Sequence, residues 1–327
     1  MRRFFIFLGI LIGLVAVASV CLAIYAFDYE SGPGPLAQPK IIVFPRGQGF
    51  QSMVETLERE GVIDRPLLFE TVAAATGNAR QFKAGEYRFS ENMTPHAIIV
   101  MMASGKVVQH KITIAEGLTV RDIVKLIQAE PALDGEVPAV IPEGSLLPET
   151  YQFVNGFKRA ELVALMQKAM HTALDAAWAR RAPDLPYDTP EKALIMASIV
   201  EKETGLPKER PHVAGVFAGR LRKGMKLQTD PTVAYGLEQQ AGAPLGRALT
   251  LADLQTPTPY NTYIIDGLPP GPICNPGKAS IEAAVNPAPT DDLYFVATGT
   301  GGHNFAATLE QHNANVAAYR VKLRAAQ

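Results

Sequence analysis

The stretch ALIMASIVEKETG, Ala193 to Gly205, is an almost unbroken apolar run that ends in Glu201, Lys202 and Glu203. Thr189 suits the cap before it, Pro190 suits the first helical position and Gly205 suits the stop, so the sequence predicts a helix over 189–203. At 100° per residue Leu194, Ala197, Ser198 and Glu201 share one stripe, while Met196, Ile199 and Val200 cover most of the remaining circumference. A helix that is apolar nearly all round belongs in a domain interior. Glu201 continues its small and apolar stripe into the carboxyl end, where burial and the helix dipole both disfavour a negative charge. A carboxyl kept protonated near neutral pH is what glycosidic cleavage requires, because the leaving sugar oxygen must receive a proton. Glu203 points about 160° away around the same helix, so the two acids cannot jointly flank one bond, and Glu203 reads as structural. A solvated helix end would carry the same three charges, so periodicity alone does not name a function.

The chain begins MRRFFIFLGILIGLVAVASVCLAIYAFDYESGPGP, in which Phe4 to Phe27 is an uncharged, mostly apolar run long enough to cross a bilayer as a helix. It exceeds the usual core of a cleaved signal peptide and no small-x-small site follows it, so a retained anchor is expected. Arg2 and Arg3 precede the span while Asp28 and Glu30 follow it, which places residues 1–3 in the cytoplasm and the rest outside. The expectation is therefore a single-pass protein of the inner, cytoplasmic membrane with its working part extracytoplasmic. A net charge of -1 gives no basic field for nucleic acid. Cys21 lies in the span and Cys274 stands alone beyond it, so no disulfide staples the exported part. The six histidines are scattered with no HExxH, and there is no Walker loop, GxGxxG or GxSxG; neither a metal nor another cofactor is expected.

Residues 28–39, rich in Gly and Pro, read as a tether. A weak internal repeat follows: KIIVFPRGQGFQSMVETL from Lys40 and KITIAEGLTVRDIVKLI from Lys111 both run from a short strand through a Gly turn into an amphipathic helix. Helices at 66–75 and 94–102 and a strand at 85–89 complete a module over 40–106. Its strand, helix, helix, strand order is that of a LysM-like carbohydrate-binding unit, and also of plain scaffold. A second α+β segment and junction occupies 107–158. From 159 to 327 the chain reads as mainly helical, with helices at 160–180, 189–203, 210–224 and 309–325 and a strand pair near the end.

LIMASIVEKETG, GRLRKGMKLQTDPTVAYG, TPTPYNTYIIDGLPPGPICNPG and DDLYFVATGTGGHNFAATLEQHN resemble, in order and spacing, the motifs of the endolytic murein transglycosylases, the YceG-like family. The resemblance runs from the span to the end of the chain and is densest over 193–313. It implies an α+β protein with a single-span anchor, a LysM-like module and a lysozyme-like catalytic domain that cuts nascent peptidoglycan strands internally. The family's catalytic glutamate is matched to Glu201, the first acid of VEKE. The resemblance also directs attention to Gln228, Asp230, Thr232 and Tyr235 and to Tyr260, Asn261 and Tyr263 as groove residues. These types can bind acetamido and hydroxyl groups or pack on sugar rings, yet Asp230 before Pro231 also suits a helix cap and Asn261 a loop. GLPPGPICNPG, Gly267 to Gly277, is too rich in Pro to be regular and reads as a rigid supporting loop. In EGSLLPETYQF, Ser145 and Leu147 stand where the family usually has aromatic residues, which leaves an aromatic surface there in doubt.

The function implied is cleavage of the MurNAc to GlcNAc β-1,4 bond without water, leaving a 1,6-anhydro-MurNAc end and terminating strand elongation. Peptidoglycan strands are the expected partner, with peptidoglycan synthases as further partners on the family resemblance. The alternatives are a hydrolytic muramidase of the same fold and a non-catalytic, membrane-tethered wall-binding adaptor.

Overall fold

The structure, a computed structural model, describes residues 2–325; Met1, in the expected cytoplasmic segment, and residues 326–327, at the end of the expected catalytic domain, lie outside the described residues. The chain is mixed α/β and about half helical. It divides into two compact units, one reaching His110 and taking in Gln152–Gly156, the other formed by Lys111–Tyr151 and the chain from Phe157 onward.

In the first unit, α1 (Arg2–Ser31) is apolar and solvent-exposed along nearly its whole length, long and apolar enough to cross a membrane. It does not stop where the tether was expected. The helix continues through Ser31, and Tyr29 and Leu36 are buried in the core of the unit. The Asn92 N–H donates to the Leu36 carbonyl (2.9 Å), and a Cβ on Gly34 would lie 2.3 Å from the Met93 carbonyl oxygen. Glycine here permits close packing of backbone on backbone rather than flexibility. The core behind this segment joins β1 (Lys40–Phe44), α2 (Phe50–Arg59), α3 (Pro66–Ala75), β2 (Gly85–Phe89) and α4 (Pro95–Ser104). β1 and β2 are antiparallel with Ile42 opposite Tyr87. The alternation of their side chains sends Phe44, Tyr87 and Phe89 inward against Leu57, Phe69, Ile98 and Met102.

The second unit contains, in chain order, β3 (His110–Thr113), α5 (Val120–Ala129), β4 (Leu133–Asp134), β5 (Thr150–Phe153), β6 (Phe157–Lys158), α6 (Arg159–Trp178), α7 (Pro190–Glu203), α8 (Arg210–Arg222), α9 (Asp230–Ala241), α10 (Lys278–Val285), β7 (Tyr294–Ala297), β8 (His303–Ala306) and α11 (Leu309–Ala325). β3 and β5 begin or end within the first unit's residues. α5 repeats the pattern of α2, burying Ile123 and Ile127 as α2 buries Met53, Val54 and Leu57. At the centre lies α7, capped by the Thr189 hydroxyl accepting from the Lys192 N–H (3.3 Å). Ala193, Met196, Ala197, Ser198, Ile199 and Val200 have no exposed surface, and α6, α8, α9 and α10 pack around them.

The Pro-rich loop is fixed to this central helix. The Ser198 hydroxyl accepts the Ile273 N–H (3.0 Å), the Cys274 thiol donates to the Ser198 carbonyl (3.4 Å), and the Asn275 Oδ1 accepts the Leu146 N–H (2.8 Å). β7 and β8 form an antiparallel hairpin, with Phe295 opposite Phe305.

Candidate active site

Glu201 and Glu203 close α7 on opposite sides, and their surroundings differ. The Glu201 side chain is only 5% exposed. Its Oε1 accepts from Arg210 Nη2 at 3.3 Å and its Oε2 from the Gly277 N–H at 2.9 Å. Arg210, at the start of α8, also reaches Glu116 (3.3 Å). Gly277 precedes α10, and a Cβ there would meet the Glu116 side chain, which would have to swing aside. Glu201 thus ties the ends of α7, α8 and α10 together. The apolar surroundings predicted from its helix stripe are replaced by two hydrogen-bond donors, and both carboxylate oxygens are occupied.

Glu203 retains some exposed surface, yet protein crowds its carboxyl, and burial pushes its pKa up. Asp230 adds to the rise; the Thr229 hydroxyl, which donates to Glu203 Oε1, and the charges of His303 and Arg220 oppose it. No ion pair to Glu203 forms among the described residues, because the Arg220 guanidinium is committed to the carbonyls of Leu293 (2.6 Å) and Leu227 (2.6 Å). Glu203 Oε2 takes no hydrogen bond from a described residue and is not among the fully buried, unpartnered atoms. A carboxyl with one oxygen held, one oxygen free of hydrogen bonds and its proton favoured by desolvation is suited to general acid catalysis.

Thr229 is brought to Glu203 by an unusual turn. Gln228 has φ +49°, one of two non-glycine residues with positive φ among the described residues. Its N–H donates to the Thr262 carbonyl (3.1 Å), while the Thr229 N–H donates to the Thr262 hydroxyl (3.0 Å). The cap of α9 is Thr229, and Asp230 is already its first residue, so Asp230 is not the cap that Asp-Pro suggested. Asp230 is exposed and accepts from the Tyr263 hydroxyl at 2.6 Å.

Of the seven expected groove residues, Gln228, Asp230 and Tyr263 therefore gather near Glu203. Thr232 and Asn261 have no exposed surface and serve the scaffold. The Thr232 hydroxyl donates to the Thr229 carbonyl (2.7 Å), and the Asn261 side chain donates to the carbonyls of Leu254 (3.1 Å) and Thr256 (2.8 Å). Tyr235 packs edge-on against Tyr260 (4.8 Å) and directs its hydroxyl to Glu143 (3.4 Å), which lies in a separate cluster. A groove made of all seven is not what the fold assembles.

Residues 42–318 match the YceG-like family. The chain belongs to that family. It is 32% identical to the endolytic murein transglycosylase of Bacillus subtilis (strain 168), with 83% of this chain and 82% of that one covered. It is 28% identical to the protein of that name from Streptococcus pneumoniae serotype 2 (strain D39 / NCTC 7466), covering 84% of this chain and 57% of that one. Among solved structures, the putative yceG-like protein lmo1499 from Listeria monocytogenes is 31% identical and superposes with a TM-score of 0.52, covering 85% of this chain and 99% of that one.

Around the carboxyl pair, this YceG-like chain uses several residues that its sequence did not single out. Glu209 accepts from His303 twice, from the ring Nδ1 (2.8 Å) and the backbone N–H (2.9 Å), and from the Thr204 hydroxyl (3.2 Å). This fixes the hairpin turn beside the end of α7, and Gly302, at φ +88°, leaves room for the Glu209 carboxylate. The GGHNF sequence carried a signal for this turn in its paired glycines. Glu143, whose pKa burial pushes up, accepts the Val120 N–H (2.9 Å) and the Asn275 side-chain amide (2.9 Å), joining α5 to the Pro-rich loop.

Proposed function

We propose that this chain is an endolytic lytic transglycosylase of peptidoglycan, as its named relatives are, and that Glu203 rather than Glu201 is its acid and base. The observation that carries the assignment is the contrast between the two carboxyls: Glu201 has both oxygens bound, to Arg210 and to the Gly277 N–H, whereas Glu203 has one oxygen without a hydrogen bond and a desolvated carboxyl. Glu203 gives its proton to the glycosidic oxygen as the bond to C1 of MurNAc breaks. Its carboxylate then takes the proton from the muramyl 6-hydroxyl as O6 closes onto C1, leaving a 1,6-anhydro end. The internal nucleophile makes a second catalytic carboxylate unnecessary, because proximity replaces an activated water. Asp230, held by Tyr263, supplies negative charge beside an oxocarbenium-like transition state, and Gln228 presents an exposed amide at the same rim.

The experiment is digestion of purified glycan strands with mass analysis of the products. Glu203→Gln should lose about two to four orders of magnitude in rate, the usual contribution of a positioned acid, while Glu201→Gln remains active wherever it is folded. The reverse pattern returns the role to Glu201. Products heavier by one water would identify a hydrolytic muramidase; binding without cleavage by the wild type would identify an adaptor.

The wider architecture belongs to the same reading. The strand, helix, helix, strand core of the first unit serves as a LysM-like module and the helical part of the second as a lysozyme-like domain. α1 anchors the chain in the inner membrane with its N-terminus in the cytoplasm, so that the site faces newly made glycan and the synthases that extend it. Strand cutting in that position ends elongation.

A further inference from the structure

The anchor helix and the first unit form one packed body, and that fixes which surface of the unit lies nearest the bilayer. α1 packs against α3 and α4, the two short apolar helices of the unit. Arg65, the residue before α3, donates from Nη1 to the Tyr25 hydroxyl (3.2 Å), and its guanidinium lies 5.8 Å from the ring centres of both Tyr25 and Tyr29. Twenty-one helical steps separate Phe4 from Tyr25, about 32 Å at ~1.5 Å per residue, against a hydrocarbon core of ~30 Å. Tyr25 therefore stands at the outer edge of the core, the level at which tyrosines concentrate, and Arg65 stands with it.

We propose that the outer face of α3 rests in the lipid headgroup layer, with Arg65 at the phosphates and Leu67 inserted beneath them. The proposal rests on the reading of Phe4–Phe27 as a membrane span. Leu67 is 79% exposed, and Thr71, Ala74 and Ala75 continue its face of the helix at spacings of four, seven and eight residues. The Thr71 hydroxyl donates to the Leu67 carbonyl (2.7 Å), so the stripe presents little unsatisfied polarity. Glu70 borders it on one side. Near the level of Tyr25 the charged groups are Arg65, Asp64 (3.7 Å from Arg65), the exposed Asp28 of α1 and, toward α4, Glu30 paired with His96 (2.5 Å). The headgroup layer is about 5–8 Å deep, and Leu67 is two residues from Arg65, so it falls within that depth. A lipid surface is favoured over a protein partner because α3 follows directly on Arg65, which bonds Tyr25 of α1 at the level where the span, on the same reading, leaves the hydrocarbon. Arg65 matches the phosphate chemistry, and Leu67 supplies a bulky exposed apolar group two residues from it.

The test uses the full-length chain in vesicles of phosphatidylglycerol and phosphatidylethanolamine. Single spin labels are placed at Val15, Leu67, Ala74 and Glu55 in a Cys21→Ala/Cys274→Ala background, and collision with oxygen is compared with collision with a water-soluble nickel chelate. Val15 marks the span, and Glu55, exposed on α2, marks water-facing surface. The expected result is a several-fold higher oxygen-to-nickel ratio at Leu67 than at Glu55, with Ala74 between them, and a fall at Leu67 when Arg65→Glu is added. A Leu67 ratio equal to that of Glu55 while Val15 is lipid-embedded overturns the proposal alone. A water-exposed Val15 overturns the span and the proposal together.

Discussion

Replacing Arg210 by methionine separates a structural Glu201 from a catalytic one. The Arg210 side chain is 10% exposed and bonds Glu201, whose own side chain is 5% exposed. Removing the guanidinium leaves Glu201 buried with a single donor, the Gly277 N–H. Breaking a buried pair in this way costs about 3–5 kcal/mol, and the retained backbone donor argues for the lower end, ~3 kcal/mol. The second partner, Glu116, is 43% exposed and adds little. For a unit of this size ~1 kcal/mol moves Tm by about 2–4 °C, so Arg210→Met should lower Tm by about 6–12 °C. Circular dichroism melting of the full chain in detergent measures it. Glu201→Gln/Arg210→Met should recover much of the loss, because no buried charge is then stranded. A Tm change in Arg210→Met below about 2 °C, or a double variant whose loss is the sum of the singles, would refute the clamp. The same series carries a kinetic arm. Assayed well below its melting point, Glu201→Gln should cleave glycan at a rate close to wild type; a loss as deep as that of Glu203→Gln would show that Glu201 takes part in the chemistry.

The charges around Glu203 should move the alkaline limb of activity in opposite directions: Asp230→Asn removes a charge that raises its pKa and shifts the limb to lower pH, whereas His303→Gln removes one that lowers it and shifts the limb to higher pH, both read from pH-rate profiles. Because the folded pKa of Glu203 lies above its unfolded value, the folded state binds the proton more tightly, and stability falls as pH rises from the unfolded value toward the folded one. Glu203→Gln should therefore raise Tm relative to wild type at pH 8 and by less at pH 4, measured by melting at the two pH values. Asn261→Ala should lower stability by about 2–3 kcal/mol through two stranded carbonyls and an empty site, while leaving KM near wild type in the folded protein, since Asn261 has no exposed surface; a KM effect without a Tm effect would put Asn261 back in the groove.

The elements legible in the sequence were those whose pattern is local. α7 carries its cap, its first-turn proline and its apolar circumference between Thr189 and Glu203, and α2 and α5 declare themselves by spaced apolar positions after a Gly turn. The hairpin over Tyr294–Ala306 follows from its alternating aromatics and paired glycines. What the sequence concealed depends on distant partners. α10 spans only eight residues after a Pro-rich loop, too short for periodicity to distinguish, and it is helical because α7 offers a surface to bury it. The Gly-Pro segment after α1 has the composition of a linker, but Tyr29 and Leu36 find a core to enter, and burial outweighs composition.

The two acids of VEKE show the same division between local pattern and distant partner. Periodicity placed Glu201 on the buried stripe, and its side chain is buried there. Burial of a carboxyl among apolar groups differs in its consequence from burial among hydrogen-bond donors. Here the neighbours are a guanidinium nine residues ahead and a backbone N–H seventy-six residues ahead, and neither is visible in a helical wheel. On the assignment proposed above, a carboxyl with a partner at each oxygen serves as a clamp that joins α7, α8 and α10. Glu203, two residues on, emerges on the other side of the helix, where the strained turn at Gln228 and the His303 hairpin crowd it without pairing it. Desolvation without a fixed counter-ion raises the pKa of Glu203 at the end of the helix, and Glu201 helps hold that end in place. On the proposed assignment the pair of acids divides the work: Glu201 holds the end of the helix, and Glu203, its pKa raised by burial, meets the sugar oxygen.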